Sequence, residues 1–67
     1  MLVLMAERVD VQDIRERFVW YEAPGKLTTD RSKAHTFPSM DSLQATARAI
    51  DARGGWLDFV NVAAQEA

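Results

Sequence analysis

The fold is decided by residues 37–55, which read FPSMDSLQATARAIDARGG. Pro38 disfavours a helical conformation in the residue before it, so a helix can begin only after this point. Ser39 is a good N-cap residue, and Asp41 in the first turn interacts favourably with the helix dipole. Gly54-Gly55 predicts the helix end. Between these signals, a 3-4-3 spacing predicts one buried apolar stripe, formed by Met40, Leu43, Ala47 and Ile50.

Short runs of aromatic and β-branched residues on both sides of this helix predict strands. The first run is Phe18–Tyr21, and Pro24-Gly25 then predicts a reversing turn. A return strand can start at Lys26, and residues 34–37 form a short extended piece before the helix. The last predicted strand is Trp56–Val62. It carries apolar residues on both faces, which is more typical of a central strand than of an edge strand.

The order strand, strand, helix, strand predicts a small two-layer α+β domain over residues 1–67. We expect an antiparallel sheet of three to four strands with one main helix packed on it. Residues 1–6 either join this sheet or are loosely attached, and residues 63–67 are predicted to be a soft tail. Residues 7–17 fit an exposed strand as well as a short helix capped by Asp10.

Composition excludes several classes of function. The chain has 67 residues, with 8 Lys plus Arg and 10 Asp plus Glu, and therefore a formal charge of −2. It has no cysteine, which excludes disulfides and thiolate chemistry and favours a reducing, cytoplasmic location. His35 is the only histidine, so we expect no metal and no cofactor. The apolar residues 1–6 are too short for a membrane helix, and we expect no membrane partner.

Catalysis is not expected in so small a domain. Asp51 and Asp58 could face each other across Gly54-Gly55, but paired carboxylates need a deep pocket that separates their pKa values. Ser32, Ser39 and Asp30 lie near His35 in sequence, and this alone does not make a catalytic triad. We therefore predict a protein that is not an enzyme and has no catalytic residues.

Two surfaces are candidates for binding a partner. If the apolar stripe of the helix is buried, its other side is exposed and mildly acidic. We add Trp20 as an aromatic anchor. The predicted partner-binding residues are then Trp20, Asp41, Gln44, Arg48, Asp51 and Asp58. The alternative is a nucleic-acid surface around Trp20, formed by Arg15, Arg17, Arg31 and Lys33. Residues 1–33 hold six basic and six acidic side chains, so this surface has no excess of positive charge.

Residues 32–39, SKAHTFPS, followed by Leu43, Ala45 and Ala47, resemble a step found in small phage and bacterial proteins. In those proteins an aromatic strand and a polar turn precede a KAxxFxS/T step, an alanine-rich helix and a final strand. The resemblance covers roughly residues 18–62. It implies that Ala34 and Phe37 fill the core and that Ser39 caps the helix. Most such proteins have no assigned activity, but small phage proteins of this build include anti-CRISPR inhibitors.

We therefore expect a non-enzymatic binding protein, a phage-encoded inhibitor of a host defence complex that acts by surface occlusion. The partner would be a host protein or ribonucleoprotein complex in the host cytoplasm. One alternative is a small nucleic-acid-binding accessory protein. The other is a homodimeric structural module whose sheet edge or aromatic face pairs with a second copy.

Overall fold

A computed structural model describes all 67 residues of the chain. The sheet has four strands: β1 (Leu2–Arg8), β2 (Phe18–Ala23), β3 (Lys26–Thr28) and β4 (Phe59–Glu66). The helices are α1 (Ile14–Arg17), a 3-10 turn (Arg31–Lys33) and α2 (Met40–Ala52). The strands are antiparallel in the order β3-β2-β1-β4. The predicted α+β architecture is confirmed. Neither helix combines the length and the apolar character needed to cross a membrane.

The boundaries of α2 are those predicted from its sequence. The Ser39 hydroxyl accepts a hydrogen bond from the Ser42 N–H at 3.2 Å. At the other end Gly54 has a φ of +73°, a left-handed conformation that glycine adopts without strain. The prediction that the apolar stripe of α2 is buried is confirmed at Leu43, which is 3% exposed. It is wrong at Met40, which is 45% exposed. Phe37 fills the core at this end of the helix instead.

The two ends of the chain form the middle and one edge of the sheet. β1 pairs with β2 on one side and with β4 on the other, so residues 1–6 are not loosely attached. The predicted final strand is displaced: β4 begins at Phe59, it lies at an edge, and it includes most of the predicted tail 63–67. Trp56 explains the displacement, because its indole N–H donates to the Ala47 carbonyl at 2.9 Å and holds this segment against α2.

The segment between β1 and β2 combines both predicted alternatives. Strand β1 continues to Arg8, and the short helix α1 follows after a loop. Asp13, not Asp10, is the N-cap of α1. The predicted turn after β2 is confirmed, with Gly25 at a φ of +74° between β2 and β3.

The main core lies between the sheet and α2. Its buried members are Leu4, Phe37 and Leu43, and the partly buried side chains of Tyr21 and Trp56 pack against them. Strand β1 contributes Leu2 and Leu4 to this core, and β2 contributes Tyr21. The other side of the sheet faces away from α2, and there Trp20 and Glu7 form side-chain hydrogen bonds with β4.

Candidate protein-interaction surface

The predicted partner-binding residues lie on two opposite sides of the molecule. Asp41, Gln44, Arg48 and Asp51 are exposed on α2, and Asp58 is exposed in the loop before β4. Trp20 pairs with Met5 across β2 and β1, out of phase with the buried residues Val19 and Leu4. It therefore lies on the side of the sheet away from α2. The structure does not bring Trp20 and the α2 residues into one surface.

Trp20 covers the side of the sheet that lacks a helix. Its indole N–H donates to the Gln65 side-chain oxygen at 3.2 Å, although Trp20 is on β2 and Gln65 is on β4. The indole therefore crosses β1, which lies between these strands. Gln65 is the register partner of Val3, and Val3 is only 2% exposed. The ring is half-buried, so much of its area stabilises this domain and only part of it could contact a partner.

The cations around Trp20 are largely paired within the chain. Arg15 forms an ion pair at 3.1 Å with Asp13, the N-cap residue of the same helix. Arg17 forms an ion pair with Glu7 at 2.5 Å. Arg31 donates to the backbone carbonyl of Glu66. These contacts reduce the positive charge that is free to neutralise phosphates, so the nucleic-acid alternative gains no support from the geometry.

Glu7 connects three elements on the same side of the sheet as Trp20. Its carboxylate accepts a hydrogen bond from the Asn61 amide at 2.8 Å and one from the Arg17 guanidinium at 2.5 Å. The Asn61 hydrogen bond, followed by that of Arg17, lowers the pKa of Glu7 below its ordinary value of 4.5. A charged Glu7 thus ties β1 to β4 and to the end of α1.

Protonation of three carboxylates at low pH should destabilise the fold. Hydrogen bonds lower the pKa of Glu7 (from Asn61), of Asp13 (from the Arg15 side chain) and of Asp30 (from the Ser32 hydroxyl). Their stabilisation is present above the ordinary pKa values of 4.5 and 3.8, and it is lost as pH falls through the lowered values. We expect Tm to fall below about pH 4, less so in Glu7→Gln. A Tm that is constant down to about pH 2 would contradict this.

No group of three or more His, Asp or Glu side chains lies close enough together to hold a metal ion. The cleft between the β2–β3 turn and the end of α2 measures about 290 Å³, and its polar lining consists of Tyr21, Lys26 and Arg53 without any carboxylate or histidine. Asp58 lines a different depression with Arg8 and Asp10, and Asp51 is not part of it. His35 stacks edge-on against Phe37, with ring centroids 4.7 Å apart.

Three exposed apolar side chains near one end of the sheet were not among the predicted binding residues. Two loops meet there, joined by a hydrogen bond of 3.0 Å from the Val9 N–H to the Asp58 carbonyl. Val9 is 48% exposed, Leu57 84% and Val60 56%. We call these three residues the end patch. Val60 lies at a register shift between β1 and β4, which explains why simple alternation did not predict its exposure.

Charged side chains lie around the end patch. Arg8, Asp10 and Asp58 share one shallow depression with Val11 and Phe59. An apolar surface with charges at its rim has the general composition of a protein interface. Of the predicted residues, only Asp58 belongs to this surface.

Three comparisons of this chain with known proteins, by family model, by curated sequence and by solved structure, each found no match.

Proposed function

We propose that this chain is a non-enzymatic binding protein that acts by covering a surface of a larger protein. The end patch carries this proposal. Leu57 in particular exposes 84% of its area on a small domain whose buried core numbers only six residues. Exposed apolar side chains grouped at one place mark sites of protein contact more often than single scattered ones do.

The position of the end patch supports contact with a protein surface rather than with a small molecule. None of the three end-patch side chains lines a cleft, whereas small ligands are bound in clefts. Its charged rim holds one basic and two acidic residues, Arg8, Asp10 and Asp58. We therefore expect a partner with an apolar depression and at least one cation beside it.

The double variant Leu57→Ser, Val60→Thr tests this role. Burying one leucine contributes roughly 2 kcal/mol, so the loss of both side chains should weaken partner binding at least about thirty-fold. The matched control is Met40→Ser, because Met40 is also apolar and 45% exposed but lies at the opposite end of α2. The measurement is quantitative capture from host lysate with the folded protein as bait.

Two results would contradict the proposal. One is the absence of any captured macromolecule with the wild-type chain. The other is a captured protein whose binding is equally strong for the double variant and for wild type. Far-ultraviolet circular dichroism checks that both variants are folded.

A more specific form of the proposal is a phage-encoded inhibitor of a host defence complex. It is supported by the resemblance of residues 32–39 to small phage proteins and by the small size of the chain. Expression of the protein in a host with an active CRISPR system should restore transformation by a targeted plasmid. If transformation stays low with wild type and with the double variant alike, this specific form is wrong, while the binding role is judged by the capture experiment.

A further inference from the structure

We propose that β4 pairs antiparallel with β4 of a second copy, so that two four-stranded sheets join into one of eight strands. This inference concerns residues 61–65 of β4, and it does not depend on the end patch or on its partner. It follows from the free backbone groups of this edge, from its lack of protecting residues, and from two side-chain amides that are each half satisfied.

The backbone groups that β4 leaves free can be identified from its neighbours. Leu2 of β1 uses both its N–H and its carbonyl toward Phe37, at 2.9 and 2.7 Å, on the side away from β4. In an antiparallel ladder this direction alternates, so Val3, Met5 and Glu7 bond to β4. Their register partners Gln65, Ala63 and Asn61 thus face β1, so the backbone groups of Val62 and Ala64 point outward and are free. Glu66 also points outward, but its carbonyl already accepts a hydrogen bond from Arg31.

The stretch 61–65 of this edge carries none of the side chains that usually prevent strand pairing, and the β-bulge at Val60 lies before it. Proteins protect exposed edges with lysine, proline or inward-pointing charges. Strand β4 reads FVNVAAQE and contains no lysine, arginine or proline. Its single charge, Glu66, lies at the end of the strand, so a two-fold axis at the middle places the two copies of Glu66 far apart.

Two side chains of β4 have complementary free groups. Gln65 accepts the Trp20 indole N–H with its oxygen, which leaves its amide N–H groups free. Asn61 donates its amide N–H to Glu7, which leaves its side-chain oxygen free. With Ala63 on the two-fold axis, Asn61 lies opposite Gln65 of the second copy on the same face of the joined sheet. The free Gln65 donor then meets the free Asn61 acceptor, twice in each dimer.

The same register suits the other face of the joined sheet. Val62 comes to lie opposite Ala64 of the second copy, on the side that carries α2. Val62 is 38% exposed in the single chain, and pairing would cover part of this area. Because Val62 and Ala64 also hold outward backbone groups, each such pair exchanges two N–H···O bonds.

Such a dimer would present two end patches at its opposite ends. The end patch precedes residue 61, and antiparallel pairing around Ala63 directs the two β4 start points away from each other. Within each patch only Val60 comes to lie opposite a residue of the second copy, Glu66, while Val9 and Leu57 precede the paired stretch. A partner with two sites at a matching distance would be bound more strongly than by one copy.

Analytical ultracentrifugation of the full chain between about 10 μM and 1 mM tests the dimer. Strand pairing without a large apolar interface is a modest contact, so we expect a monomer–dimer equilibrium in which the dimer dominates at the highest concentration. Val62→Lys should shift the equilibrium to monomer by at least ten-fold in Kd. Met40→Lys, which adds the same charge away from the edge, should not. A wild-type chain that is monomeric up to about 1 mM, or equal dimerisation of both variants, would overturn the proposal.

A cysteine at the two-fold axis tests the register. The chain has no cysteine, so any disulfide comes from the introduced residue. In Ala63→Cys the two thiols occupy a directly opposed pair whose Cα atoms are about 4.5 Å apart, which a disulfide can bridge. We expect rapid cross-linking of this variant under mild oxidation and slow cross-linking of Ala64→Cys. Faster cross-linking of Ala64→Cys would contradict the proposed register.

Discussion

Replacement of Trp20 by alanine should leave the protein largely unfolded at 37 °C. The indole crosses β1 and joins β2 to β4 through its hydrogen bond to Gln65. Loss of a buried tryptophan costs about 3–5 kcal/mol, and a chain of this length has a stability of only roughly 3–10 kcal/mol. Urea unfolding followed by circular dichroism measures the loss.

Two control variants distinguish the apolar contacts of the Trp20 ring from its hydrogen bond to Gln65. Gln65→Ala removes only the acceptor of the indole N–H and should cost about 1 kcal/mol. Trp20→Phe keeps apolar cover without the N–H, and its effect should lie between those of the other two variants. If Trp20→Ala unfolds with a free energy within about 1 kcal/mol of wild type, the indole does not cover the sheet as described.

Replacement of Leu43 by alanine should have the second largest effect. Leu43 is 3% exposed and packs with Leu4 and Phe37 where α2 contacts the sheet. Truncation of a buried leucine to alanine costs about 2–5 kcal/mol, and α2 has no other fully buried side chain to compensate. Unfolding in urea, monitored by circular dichroism, measures this loss.

Gln44→Ala is the matched control for Leu43→Ala. Gln44 is the next residue of the same helix, and it is exposed. Its replacement should change the free energy of unfolding by less than about 0.5 kcal/mol. Similar losses in the two variants would mean that α2 does not pack on the sheet through Leu43.

Local signals predicted α2 and the β2–β3 turn correctly, because each is fixed by residues close together in sequence. Ser39, Gly54 and Pro24-Gly25 act on their immediate neighbours. Strand β4 was misplaced because its pairing depends on distant residues. Residues 63–66, AAQE, have low strand propensity, and they form a strand because β1 supplies partners for all of them.

The surface was predictable only in part. Alternation along β2 puts Trp20 and Val19 on opposite faces without saying which face is buried, and it does not indicate that the indole reaches a strand two positions away. The end patch depends on how two loops meet and on a register shift at Val60, and neither has a local sequence signal. The exposure of Asp58 could be predicted because it follows from the charge of its side chain alone.

The pairing of β1 with β4 has a consequence for how this chain reaches its native state. Leu2 pairs with Glu66, and the Ala67 N–H donates to the Met1 carbonyl at 3.0 Å, so this ladder spans almost the whole polypeptide. Closing so large a loop costs roughly 3–4 kcal/mol of chain entropy before any of its bonds form. The hairpin and α2 can assemble early, whereas the high contact order of the final ladder should make its formation the slow, rate-limiting event.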